Sequence, residues 1–90
     1  MLQSISITVE GLVHGVFYRQ STKAKAIEYG ITGEVKNSSD GTVRIVATGT
    51  ETQLDQIVQW CKKGPEMAVV TDVKVEKIPL QSFKGFSIIR

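Results

Sequence analysis

The stretch ISITVEGLVHGVFYRQSTKAKA, residues 5 to 26, decides how this chain folds. Ile5, Ile7 and Val9 alternate with Ser6 and Thr8, the period of two expected of a strand with one buried face. From Tyr18 the period changes. Tyr18, Thr22, Ala26 and Tyr29 recur every three or four residues, with Lys23, Lys25 and Glu28 between them, which predicts a helix with one relatively apolar side. Gly30 follows where the helix must stop, free of the penalty for a left-handed backbone. Between strand and helix lie Gly11 and Gly15, and Arg19 stands at the helix entrance.

The first strand is predicted over Leu2 to Glu10, and the same two periods continue outward from it. Ile31 to Lys36 reads as a second strand, NSSDG (37–41) as a turn, and TVRIVAT (42–48) as a third strand with Val43, Ile45 and Ala47 on one side. Thr50 with Gln53 fits a capping box, and Leu54, Ile57, Val58 and Cys61 mark one face of a second helix that Lys62, Lys63 and Gly64 close. Pro65 prevents its continuation. Val70 to Ile78 gives a fourth strand on the alternation of Val73 and Val75 with Asp72, Lys74 and Glu76, and Phe86 to Arg90 a short fifth. The order is βαββαβ plus a tail strand. Two βαβ halves of this kind predict an α+β, ferredoxin-like α/β sandwich, with both helices on one face of a single antiparallel sheet.

Ninety residues suffice for one domain, spanning 1–90, because a chain of this size buries only roughly 60 to 68% of the surface its unfolded form exposes. The formal net charge of +2 is mild, whereas nucleic-acid domains usually concentrate a larger basic excess on one face. It suits a small anionic partner. Cys61 is the only cysteine, which excludes an internal disulfide framework and favours a reducing compartment. No apolar run approaches the roughly 20 residues needed to span a bilayer, and MLQSISITVE reads as a strand instead of a cleaved signal. A monomeric cytoplasmic protein, with no membrane or nucleic-acid partner, is expected.

A strand, a glycine-containing loop and a helix N-terminus in series form a ready anion site: several N–H groups lack intrahelical partners, and the helix dipole adds partial positive charge. Arg19 stands at its rim. A guanidinium fork matches two phosphate oxygens, and a charge-assisted hydrogen bond of that kind contributes on the order of 1.5 to 3 kcal/mol. Spacing alone leaves a plainer reading open, in which the glycines merely turn the chain and Arg19 is a solvated helix residue. The loop has neither the lysine of a P-loop nor the three-glycine spacing of a dinucleotide fold. Asn37 likewise reads locally as a turn residue beside Ser38, Ser39, Asp40 and Gly41.

Gly11, Val13, Gly15, Val16, Tyr18 and Arg19 together resemble the signature of the acylphosphatase family, whose usual form is GxVQGVxFR with tyrosine also accepted before the arginine. Gly33, Val35, Asn37, Asp40, Gly41 and Val43 resemble its second signature. Gly64, Pro65, Ala68 and Val70 match a third block, GPxxAxV, while Phe86 and Ile88 resemble its closing strand. The resemblance covers essentially the whole chain. His14 stands where the family usually has glutamine, and Glu34 where tryptophan is common.

The resemblance implies a phosphate-binding loop of His14, Gly15, Val16, Phe17, Tyr18 and Arg19. In it the main-chain amides and Arg19 hold the phosphoryl group while Asn37 positions the attacking water. So few groups suffice for an acyl phosphate, a mixed anhydride whose carboxylate leaves as an anion without a general acid. Phosphoryl transfer is catalysed chiefly by positioning and charge stabilisation. The implied products are a carboxylate and inorganic phosphate. No cofactor or metal is expected, and no cluster of His, Cys, Asp or Glu stands at ligand spacing.

Two other readings of the same plan compete. One is a domain that binds a phosphoryl or carbamoyl phosphate group without turning it over. The other is RNA binding, because Lys84, Gly85 and Phe86 resemble the start of the RNP1 pattern. That segment falls on the last strand instead of the third, and SISITV has no aromatic to stack a base. For His14, the plainer role is to replace glutamine's hydrogen bonds; the sharper one adds imidazolium charge beside the anion in mildly acidic solution. Trp60 and Cys61 read as core or core-edge packing.

Overall fold

The computed structural model describes residues 1–89. In chain order the elements are β1 (Gln3–Leu12), α1 (Tyr18–Tyr29), β2 (Thr32–Asn37), β3 (Val43–Gly49), α2 (Glu51–Lys63), β4 (Val69–Ile78) and β5 (Phe86–Ile89). Every predicted element is present with limits shifted by a residue or two. Arg90, predicted to end the last strand, lies outside the described residues.

The sheet order is β4-β1-β3-β2-β5. β1 lies antiparallel between β3 and β4, with Ile7 opposite both Ile45 and Val75, and β2 pairs antiparallel with β3, with Val35 opposite Ile45. This stacks the alternating apolar residues of adjacent strands on one side. Ile7, Val9, Val35, Val43, Ile45 and Ala47 are buried there against Tyr18, Ala26, Leu54, Ile57 and Cys61 of the helices. A Cβ at Gly33 would run into the carbonyl oxygen of Val46, so β2 can lie this close to β3 only with glycine there.

One expectation is corrected: the sheet is mixed, because β5 runs parallel to β2, with Val35 beside Ile88. The reason lies in the path of residues 79–85. β4 and β5 occupy opposite edges, so this segment must cross the sheet. Ser4 and Thr48, on the face away from the helices, hold it there. Thr48 Oγ1 donates to the carbonyl of Gln81 (2.8 Å), the Gln81 N–H donates to Ser4 Oγ (2.9 Å), and Ser4 Oγ donates in turn to Thr48 Oγ1 (2.6 Å). The chain therefore reaches the far edge at the end where β2 begins, the Gly33 N–H bonding the Gly85 carbonyl at 3.0 Å. From that end it can only run alongside β2. The same circuit buries Ser4 and Thr48, which period-two reading assigns to the solvent side.

Val75, read as a buried position, is 47% exposed, since β4 is an edge strand and α2 covers it incompletely. The two helices begin differently. Thr50 Oγ1 accepts the Gln53 N–H (3.2 Å) and Gln53 Oε1 accepts the Thr50 N–H (2.8 Å), completing the predicted capping box of α2. α1 has no side-chain cap at all.

Candidate functional site

The uncapped end of α1 is where the loop from β1 arrives. Val13 is buried and anchors the loop, and Gly15 (φ 72°) and Phe17 (φ 63°) both take left-handed backbone conformations that curl it. For a phenylalanine this conformation costs about 1–2 kcal/mol. Its ring is not repaid by burial, being 68% exposed. Strain held at such a position is characteristic of binding loops.

The first hydrogen bond of α1 runs from the Ser21 N–H to the Phe17 carbonyl at 3.0 Å. The N–H groups of Phe17, Tyr18, Arg19 and Gln20 thus have no intrahelical acceptor. No acidic residue stands in the first turn to neutralise this positive end. Arg19 adds a full charge beside it, and among the described residues it forms no ion pair.

Across from this end, β2 stops at Asn37. Arg19 and Asn37 share the wall of a cavity of about 280 Å³, together with Val13, Gly15, Phe17, Tyr18, Gln20 and Ile88. The Oδ1 atom of Asn37 is buried and has no hydrogen-bond partner. A buried acceptor left so costs about 1–3 kcal/mol.

Of the loop residues expected at the site, His14 and Val16 do not line the cavity. His14 turns away and donates its Nε2–H to the carbonyl of Thr42 at 2.8 Å, while Val16 packs partly buried against the core. Both can serve the cavity only through their main chain. Val13, Gln20 and Ile88 were not expected in its wall. Gln20 follows Arg19 in the first helical turn and was within reach of the helix reading. Ile88 was not, because no local pattern tells which edge β5 joins.

Tyr18 fixes the site to the body of the protein. Its ring packs on Trp60 with centroids 5.3 Å apart, and its hydroxyl donates to the Cys61 carbonyl at 2.8 Å. Burial, then the neighbouring Cys61, raises the phenol's pKa well above its ordinary value, so it keeps its proton. Burial also pushes the Cys61 thiol up to about 12, which removes it as a nucleophile near neutrality. Among the described residues no three of His, Cys, Asp and Glu gather as metal ligands, and no helix is long and apolar enough to cross a membrane. Phe86, the aromatic of the RNP1-like segment, is only 5% exposed in the core and offers no face to a base.

The chain that carries this site has counterparts among known proteins. The family model for acylphosphatase matches residues 5–88. The acylphosphatase of Marinobacter nauticus is 48% identical over 81 residues, covering 89% of this chain and 88% of that one. The solved structure of an acylphosphatase from Coxiella burnetii has a TM-score of 0.95 at 38% identity and covers 98% of this chain and 93% of its own. One from Bacillus subtilis has a TM-score of 0.94 at 36% identity, with both chains covered in full. Matched from the first strand to the last in sequence and in backbone, the chain belongs to the acylphosphatase family.

Proposed function

We propose that this protein hydrolyses the carboxyl–phosphate bond of acyl phosphates, releasing a carboxylate and inorganic phosphate. The observation that carries the reading is that Asn37 stands in the same cavity wall as Arg19 and the open end of α1. Together they supply what the reaction needs, a seat for a tetrahedral anion and a hydrogen-bond partner for the water that attacks it.

In this mechanism the phosphoryl oxygens take the N–H groups of the loop and of the first turn of α1, while Arg19 offers its paired donors to two of them. The Asn37 carboxamide holds the water by a hydrogen bond so that the water's lone pair points at phosphorus. The new bond forms between the water oxygen and phosphorus as the bond from phosphorus to the acyl oxygen breaks. The electron pair leaves with the carboxylate, and one water proton passes to a phosphoryl oxygen. An enzyme base is dispensable. Orientation of this kind can remove on the order of 7 to 11 kcal/mol of barrier, and preorganised donors add electrostatic stabilisation.

We infer that the protein works as a monomer, and its one cysteine, buried as a free thiol, suits a reducing cytoplasm. The test is turnover of benzoyl phosphate by the purified protein. Arg19→Ala should reduce kcat/KM by about 10³-fold and weaken competitive inhibition by phosphate. Asn37→Ala should lower kcat by about 10²- to 10³-fold with phosphate inhibition retained. EDTA should leave the rate unchanged. Turnover kept by either folded variant contradicts these roles, and phosphate binding without turnover by the native protein makes it a binding module instead.

A further inference from the structure

The two proposed catalytic groups sit on consecutive elements that pack against each other. Arg19 rides on α1, reached from β1, while Asn37 ends β2, and β3 lies between these strands. The packing of α1 on β2 brings these ends together, while the loop that leads into α1 and the turn that follows β2 belong to separate strand connections. One side chain spans the gap directly: the His14 Nε2–H bonds the Thr42 carbonyl at 2.8 Å, 28 residues away. Among the described residues it is the only side-chain hydrogen bond made by loop residues 13–17.

The carbonyl it reaches is a fixed anchor. Thr42 O also accepts the N–H of Ser38, the residue next to Asn37, at 2.8 Å, and the Gly41 N–H bonds the Ser38 carbonyl at 3.1 Å. Asp40 Oδ1 takes both the N–H of Thr42 (3.1 Å) and its hydroxyl (2.6 Å), and Arg44 approaches the second carboxylate oxygen at 3.6 Å. One carbonyl oxygen, with its two lone pairs, thus joins His14 of the loop to the turn that begins at Asn37.

We propose that His14 is a positioning residue: through the Thr42 carbonyl it sets the distance between the phosphate cradle and the Asn37 carboxamide. Its side chain touches neither substrate nor water. The inference rests on the acylphosphatase reading above, and it separates two quantities. Anion affinity depends on the cradle and Arg19 alone, whereas the chemical step also needs Asn37 in line, and a displacement of about 1 Å there can cost about 100-fold. A neutral amide of similar reach can make the same bond to a carbonyl, so the role does not require imidazole.

The experiment compares the native protein with His14→Ala, His14→Gln, Asp40→Ala and the His14→Ala/Asp40→Ala pair, each checked for folding by circular dichroism. The readouts are kcat for benzoyl phosphate and the inhibition constant of inorganic phosphate. His14→Ala should lower kcat by about tenfold or more while the inhibition constant moves less than about twofold, and His14→Gln should restore most of the rate. Asp40→Ala, which loosens the anchor, should lower kcat in the same sense, with a loss in the pair smaller than the product of the single losses. Parallel falls in kcat and phosphate affinity, no rescue by glutamine, or multiplicative losses in the pair would overturn the assignment. If the native protein turns over no acyl phosphate, it is the function that fails. The positioning claim is then read from the Asn37 side-chain amide resonance, which must shift in His14→Ala and return in His14→Gln; an unmoved resonance refutes it.

Discussion

Tyr18 shows how a single residue binds the site to the core. The Cys61 carbonyl lies in the last turn of α2, and the residue four positions on, which would donate to it in a continuing helix, is Pro65 with no N–H. The Tyr18 hydroxyl supplies the missing donor. Tyr18→Phe leaves that carbonyl unsatisfied, and we expect a loss of about 1–2 kcal/mol, read as a fall in Tm of roughly 4–16 °C. An unchanged Tm would show that the bond contributes nothing. The spacing of Tyr18, Thr22 and Ala26 was legible as a buried helical face, and all three are buried. That Tyr18 also replaces a donor lost to a proline 47 positions later was not legible, because it is a meeting of two helices.

At the scale of elements, the contrast between the helix starts carries most information. The Thr50–Gln53 pair announced α2 from sequence, and the structure forms both of its bonds. Nothing announced a cap for α1, and the helix has none, which leaves its end open for an anion. The turn from β2 to β3 is held by Asp40, whose carboxyl is lowered from 3.8 to about 2, first by the Thr42 hydroxyl, then by the Thr42 N–H. A carboxyl with a depressed folded pKa stabilises the turn fully above about pH 4, and that contribution is lost as pH falls through about 2. The amide resonance of Thr42 should therefore titrate with a midpoint near 2, and Asp40→Asn should abolish that titration. A midpoint near 4 would mean the Thr42 bonds do not hold the carboxylate. Gly33→Ala should prevent β2 from seating on β3, since its Cβ has no room against the Val46 carbonyl. A well-folded variant would show the strands free to part.

For the molecule as a whole, alternation told which face of each strand is buried but not the order of strands within the sheet. The parallel placement of β5 depends on Ser4, Thr48 and Gln81 closing one circuit across 77 positions of chain, a long-range choice that no window of sequence contains. Ile88 reaches the cavity only through that choice. Arg19 and Asn37 could be named from sequence by resemblance, yet neither spacing nor composition brings them to one cavity wall. Only the packing of α1 on the sheet does this. An anion bound by that wall should stabilise the native state. At about 100 times its dissociation constant, phosphate should add about 2.7 kcal/mol and raise Tm by about 10 °C or more, an increment lost in Arg19→Ala. The central claim, that water held at Asn37 attacks phosphorus and not the acyl carbon, is tested most directly by hydrolysing benzoyl phosphate in water enriched in ¹⁸O and weighing both products. The account predicts one labelled oxygen in the phosphate and none in the benzoate, at a rate that collapses in Asn37→Ala; label in the benzoate would contradict it.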